Sequence, residues 1–160
     1  MSRIIKDGRI ADDSWQWVAA DEILAPELLA GHHHLLLPLP LWLAKREGRD
    51  PARTGVWLAS NDSVEPLLPR LGDLPLIAIH FPVFTDGRGY SLAHLLRSRY
   101  AYAGELRAVG DVLRDQIYFL HDCGFDAFCL RADQVLEEAL GAFSDYAWAP
   151  VAGRARALGV

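Results

Sequence analysis

Residues 74–110 read LPLIAIHFPVFTDGRGYSLAHLLRSRYAYAGELRAVG, and this stretch decides the fold. Leu74 to Phe81 is an almost continuous apolar run, as in a strand covered on both faces. The run gives way to Thr85-Asp-Gly-Arg-Gly89, and from Tyr90 to Tyr100 the spacing is helical, with Leu92, Leu95 and Leu96 on one face. Glu105 to Val109 then predicts a second strand. A strand, a helix and a strand in this order imply parallel strands joined by a right-handed crossover.

The same alternation extends in both directions. Upstream, Leu35 to Leu37 predicts a short strand, Leu39 to Arg46 a short helix and Gly55 to Ser60 a strand. Asp62 or Ser63 is expected to cap a helix through Leu68, with Glu65 near its positive end. Downstream, Val112 to Asp122 predicts a helix stopped at Gly124, Phe125 to Leu130 a strand, and Ala132 to Phe143 a helix with Asp133 and Glu137 toward its start. Repeated βα units predict an α/β fold with a mostly parallel sheet, either open and doubly wound or a partial, barrel-like arc. Five such strands are too few for a closed eight-stranded barrel.

Ahead of this core, Asp7-Gly8 between short apolar runs predicts an N-terminal β-hairpin. Trp15 and Trp17 alternate with polar neighbours, as on a half-buried strand. Pro26 breaks the helical pattern in residues 19–34, which are read as irregular up to His32-His33-His34. The expectation is one domain over 1–160: a hairpin and irregular segment at 1–34, a βα core at 35–146 and a loosely ordered tail at 147–160.

A chain of 160 residues can bury a core without staples, and 51% hydrophobic residues with 23% charged is ordinary for a globular domain. The formal charge of −5 argues against a nucleic-acid binder, because neutralising phosphates needs a basic surface. The N-terminus lacks an apolar signal core, and the greasy run Leu35 to Ala44 is broken by Pro38 and Pro40 and too short to span a bilayer. A cytoplasmic protein is expected. Cys123 and Cys129 are six apart, and two thiolates do not supply the four usual ligands of an iron–sulfur cluster.

In parallel α/β folds, ligands meet the carboxyl ends of strands, where loops lead into helices. Two neighbouring ends offer Asp86, Gly87, Arg88 and Gly89 beside Gly110 and Asp111, with Tyr90, Arg107 and Arg114 close in sequence. Glycines let backbone N–H groups approach a ligand, a helix start adds partial positive charge, and Arg88 can fork around a carboxylate, phosphate or sulfur oxyanion. The structural alternative is that Thr85 or Asp86 caps the helix, the glycines make the turn and Arg88 pairs with Asp86 or Asp111. Gly87-Arg-Gly lacks the third glycine of the dinucleotide fingerprint, so a nicotinamide site is not expected. Three consecutive histidines do not aim three rings at one ion, so no metal site is expected, and no cofactor is evident. His80 ends an apolar strand near the proposed pocket and is able to titrate usefully, though a satisfied core histidine is the default there.

The ordered segments Phe84-Thr-Asp-Gly-Arg-Gly-Tyr90, Gly104-Glu-Leu-Arg-Ala-Val-Gly-Asp111, Leu113-Arg-Asp115 and Gly124-Phe-Asp-Ala-Phe128 resemble an uncharacterised bacterial family, the DUF934-like proteins. The resemblance covers about residues 35–146. Members of that family are labelled oxidoreductases of sulfite reduction, and they are typically encoded beside sulfite reductase. The resemblance therefore implies a role in assimilatory sulfite reduction, with sulfite reductase as the expected partner. It adds Asp115 to the candidate site and gives none of these residues a catalytic step. The accessory protein acting with the reductase ranks first, because no redox equipment is visible, and a small enzyme or binding protein for an anionic sulfur or phosphate metabolite is the alternative. A homo-oligomeric scaffold using Trp42, Trp57 or Trp148 is a third.

Overall fold

The computed structural model describes residues 2–141. Its strands are β1 (Arg3–Lys6), β2 (Arg9–Asp12), β3 (Gln16–Trp17), β4 (Leu35–Pro38), β5 (Thr54–Ala59), β6 (Leu76–Phe81), β7 (Glu105–Gly110) and β8 (Ala127–Phe128). Its α-helices are α1 (Pro26–Ala30), α2 (Leu39–Lys45), α3 (Gly87–Ser98), α4 (Ile117–Cys123) and α5 (Leu136–Gly141). The fold is α/β as the alternation predicts, and the eight strands form one sheet in the order β2-β1-β8-β7-β6-β5-β4-β3.

From β3 to β8 the strands are parallel and lie in chain order. That settles the open alternative. A doubly wound sheet reverses its strand order at a switch point. Here nothing reverses, so the sheet is the barrel-like arc. The hairpin extends it, with β1 antiparallel to both β8 and β2. At the turn Asp7 and Gly8 both take positive φ, 51° and 78°, the pattern of the Asp-Gly hairpin turn.

The edge strands β2 and β3 are joined by residues 13–15 alone. Going from Asp12 to Gln16 an extended chain covers roughly 14 Å at most. A flat sheet of eight strands would hold its edges about 34 Å apart. The sheet must curl, and it does so into a half-barrel strapped by this short link. Backbone bonds hold the link at both ends: Asp13 N–H donates to Ser2 O at 2.8 Å and Gln16 N–H to His34 O at 2.8 Å.

Period-2 alternation sends Leu35, Leu37, Val56, Leu58, Ile77, Ile79, Phe81, Leu106 and Ala108 into the main core, where Trp42 of α2, Ala93 and Leu96 of α3, and Ile117 and Leu120 of α4 meet them. The intervening residues Leu36, Trp57, Leu76, Ala78 and Val109 form a second, smaller cluster on the concave face. Both faces are therefore apolar, as the run at residues 74–81 predicts.

Several elements differ from their sequence patterns. The helix expected through Leu68 is a 3₁₀ segment, Glu65–Asp73, because Pro69 inside it has no N–H to give an α-ladder. Pro26 starts α1 rather than breaking a helix, since the first turn needs no proline N–H. The helix expected from Val112 begins with a 3₁₀ turn at Arg114–Gln116, and Gly124 ends α4 at φ 124° as predicted. β8 is two residues long rather than six, and α5 starts at Leu136, which leaves Asp133 ahead of the helix, paired with Arg131 at 2.7 Å. Phe143 and the 147–160 tail lie outside the described residues.

Candidate functional site

The two polar corners picked from the sequence do lie together on the rim formed by the ends of β6 and β7. Phe84 N–H donates to Asp111 Oδ2 at 2.9 Å, Asp111 N–H to Phe81 O at 2.8 Å, and Gln116 Nε2 to Phe84 O at 3.1 Å. The charges there are absorbed by one another. Asp86 caps α3, accepting from Arg88 N–H at 3.1 Å, and the Arg88 fork closes on the same carboxylate at 3.0 and 2.8 Å. That fork, with a further hydrogen bond from Ser60, holds the Asp86 carboxyl well below the usual carboxylate range. Asp111 takes Arg131 Nη1 at 2.8 Å. Arg114 points outward to Glu138 at 3.2 Å and to Asp115 at 3.7 Å, and Asp115 is exposed.

The glycines of the corner divide. Gly87 and Gly89 belong to the first turn of α3, not to a loop before it. A Cβ on Gly89 would stand 2.4 Å from the Phe81 ring, whereas one on Gly87 would meet nothing within 4 Å. Gly89 therefore lets α3 close on β6, and Tyr90 packs edge-on against the same Phe81 ring at 5.3 Å.

A hollow of about 350 Å³ opens on the concave face, within the range of small-molecule sites. Ser2, Asp13, Trp15, Trp17, Leu36, His80, Arg107, Val109, Gly110 and Cys129 line it. Of the residues singled out in the sequence, Arg107 and Gly110 belong to it. Alternation along β7 aims Glu105 and Arg107 at this face together, and Arg107 reaches Glu105 at 2.8 Å and the strap residue Asp13 at 2.9 Å. Lys6 of β1 takes the other oxygen of Glu105 at 2.9 Å. Gly110, at φ 96°, has room for no side chain, because a Cβ would sit 2.4 Å from Phe81 O and 3.0 Å from the His80 ring.

His80 is half-buried in this wall, 5.9 Å from the rings of both Trp17 and Trp57, and burial pushes its pKa below 6.5. It is a neutral imidazole at neutral pH, able to donate from one nitrogen and accept at the other. Burial also raises the thiol pKa of Cys129 and of Cys123, so both resist ionisation. His34 packs on Trp15 with ring centroids 5.1 Å apart. Among the described residues, no group of three or more His, Cys, Asp or Glu is placed to hold a metal, and no helix is long and apolar enough to cross a membrane. Trp42 and Trp57 are buried at 3% and 9% exposure, which corrects their expected place at an interface; Trp148 lies outside the described residues.

Three signals of the hollow were present in the sequence: charges two apart in Glu105 and Arg107, the lone polar residue His80 in an apolar strand, and the alternating Trp15 and Trp17. What the sequence did not show is that residues 13–15 fold across the sheet and bring the first strands to the last.

Fold and site together define a singly wound α/β half-barrel with a ligand-sized hollow on its concave face. The chain belongs to the family described as bacterial protein of unknown function (DUF934), which matches residues 55–150. No curated protein and no solved structure matches the chain.

Proposed function

We propose that this chain is an accessory protein of assimilatory sulfite reduction, acting in the cytoplasm beside sulfite reductase, and that the concave hollow is its working surface. The observation that carries the second half is the hollow itself, where β3, β5, β6, β7 and the strap bring an aromatic wall, a neutral histidine and a held arginine around about 350 Å³. The sulfite half rests on the resemblance borne by the segments at 84–90, 104–111, 113–115 and 124–128. The test is a chromosomal deletion grown on sulfate or on sulfide as sole sulfur source, complemented by the wild-type chain or by Trp17→Ala. Slow growth on sulfate, rescued by sulfide and by the wild type but not by Trp17→Ala, supports the reading. Normal growth on sulfate with full reductase activity in extracts sinks it.

A second reading, a binding protein or small enzyme for an anionic sulfur or phosphate metabolite, draws on Arg107 and Gly110 lining the same hollow. It requires the anion to take Arg107 from Asp13. A rise in the melting temperature with sulfite, sulfate or phosphate, absent in Arg107→Gln, favours it. No shift with any of them removes it.

A further inference from the structure

One wall of the hollow carries chemistry that the fold leaves unused. Trp17 stacks on Trp57 with ring centroids 4.4 Å apart and planes inclined by 20°. Trp57 is the inner member: it is 9% exposed, and its Nε1 donates to Val18 O at 2.8 Å. Trp17 is the outer member, 38% exposed on a two-residue edge strand, and it lines the hollow while Trp57 does not. Nature of the wall and position of the rings thus present an indole, backed by a second indole, to whatever enters.

His80 stands in the same wall, and among the described residues its ring makes no hydrogen bond while it touches both indoles. Leu36, Val109 and Cys129 add apolar lining, Leu36 as the register neighbour of Trp17 and Val109 as that of His80. The charges nearby cancel: Arg107 and Lys6 are matched by Glu105 and Asp13. A bare oxyanion finds no surplus positive charge here and little apolar contact to gain. A flat ring finds an indole to stack on, apolar contact from the neighbouring strands and a hydrogen-bonding imidazole in the same lining.

We propose that the hollow takes a flat heteroaromatic ring, stacked on the outer face of Trp17 with a polar edge toward His80. The proposal rests on the reading of the hollow as the working surface and names the class of ligand it holds.

The test uses the full chain, titrated with FMN, AMP and nicotinamide mononucleotide as ring-bearing probes. Ribose 5-phosphate, phosphate and sulfite serve as ringless ones, with calorimetry and quenching of tryptophan fluorescence as readouts. At least one ring-bearing probe is expected to saturate. Trp17→Ala should weaken it about tenfold, and Trp17→Phe should restore most of the affinity. His80→Ala should weaken it more than His80→Asn, which keeps a hydrogen-bonding edge at that place. Ringless anions binding as tightly as the ring-bearing probes would overturn the ring and keep the hollow as an anion site. If no ring-bearing probe binds, the ring proposal falls. The deletion strain then separates the two ideas: Trp17→Ala failing to complement keeps the hollow as a working surface, and Trp17→Ala complementing fully removes both.

Discussion

At His80 burial works against charge. The imidazole is packed against two indoles, so the folded chain holds its proton less tightly than an unfolded chain does. As pH falls below the ordinary value of 6.5, the unfolded state takes up the proton first, and stability drops toward the folded pKa. Resonances of the His80 ring are therefore expected to titrate below pH 6.5, and His80→Asn should flatten the fall in melting temperature between about pH 7 and pH 5. A titration midpoint at or above the ordinary value would contradict the packing described. Arg97 is the other residue whose environment decides its effect. It is 2% exposed, and its Nε and Nη1 donate to the carbonyls of Gly124, Tyr102 and Gly104 at 2.6–2.9 Å, with Asp126 at 3.4 Å. Arg97→Met leaves Asp126 buried without that cation, and a loss of about 3–5 kcal/mol in urea unfolding is expected. The sequence hides this role: Arg97 falls on the helix face shared by Ala93 and Leu96, where spacing alone calls for an apolar residue.

Among the elements, α3 separates what a motif says from what packing requires. Gly87-Arg-Gly looks like a phosphate-binding loop when read along the chain. In three dimensions Gly87 faces open space and Gly89 lies against Phe81, so the two glycines differ in purpose. Gly89→Ala is expected to cost about 1–3 kcal/mol, because the added methyl overlaps a ring that is itself 2% exposed and has little freedom to move. Gly87→Ala should be neutral or mildly stabilising, since alanine has the higher helix propensity. Chemical denaturation of the two variants checks both, and equal costs would mean that the glycines serve backbone conformation rather than close approach. The same contrast explains which elements were legible. Strands β5, β6 and β7 are legible because apolar runs bounded by polar turns signal them locally. β8 is shorter than its apolar run because Phe125 and Leu130 are apolar for a different reason: both pack against the main core from flanking loops. The nearness of the Asp86 and Asp111 corners follows from adjacent strand ends, whereas their pairing is set by side-chain reach, which spacing does not encode.

At the scale of the molecule, the first strands complete what the βα units begin. β1 covers the edge of β8, which has two residues of its own, and the strap carries the chain from there to the far edge beside β4. Nothing in residues 1–17 announces that partner, since strand pairing over more than a hundred residues leaves no local pattern. Its weight is nevertheless easy to estimate. Ile4 and Ile5 are 1% and 0% exposed, and burying two such side chains contributes about 3–6 kcal/mol, a large share of the roughly 5–15 kcal/mol that holds a domain together. The hairpin also brings Lys6 to Glu105, and the strap brings Asp13 to Arg107, so removing it leaves charges on the concave face half-matched. A chain lacking residues 1–12 is therefore expected to lose cooperative thermal unfolding and to self-associate through the uncovered β8 edge, as followed by calorimetry and sedimentation velocity. Asp13→Ala is the milder form of the same change. Arg107 keeps Glu105, so the loss should be about 1–3 kcal/mol, with the hairpin still in place. If the truncated chain stayed monomeric and melted within a few degrees of the whole one, the arc would be stable without its hairpin, and the half-barrel would owe its curl to the βα units alone.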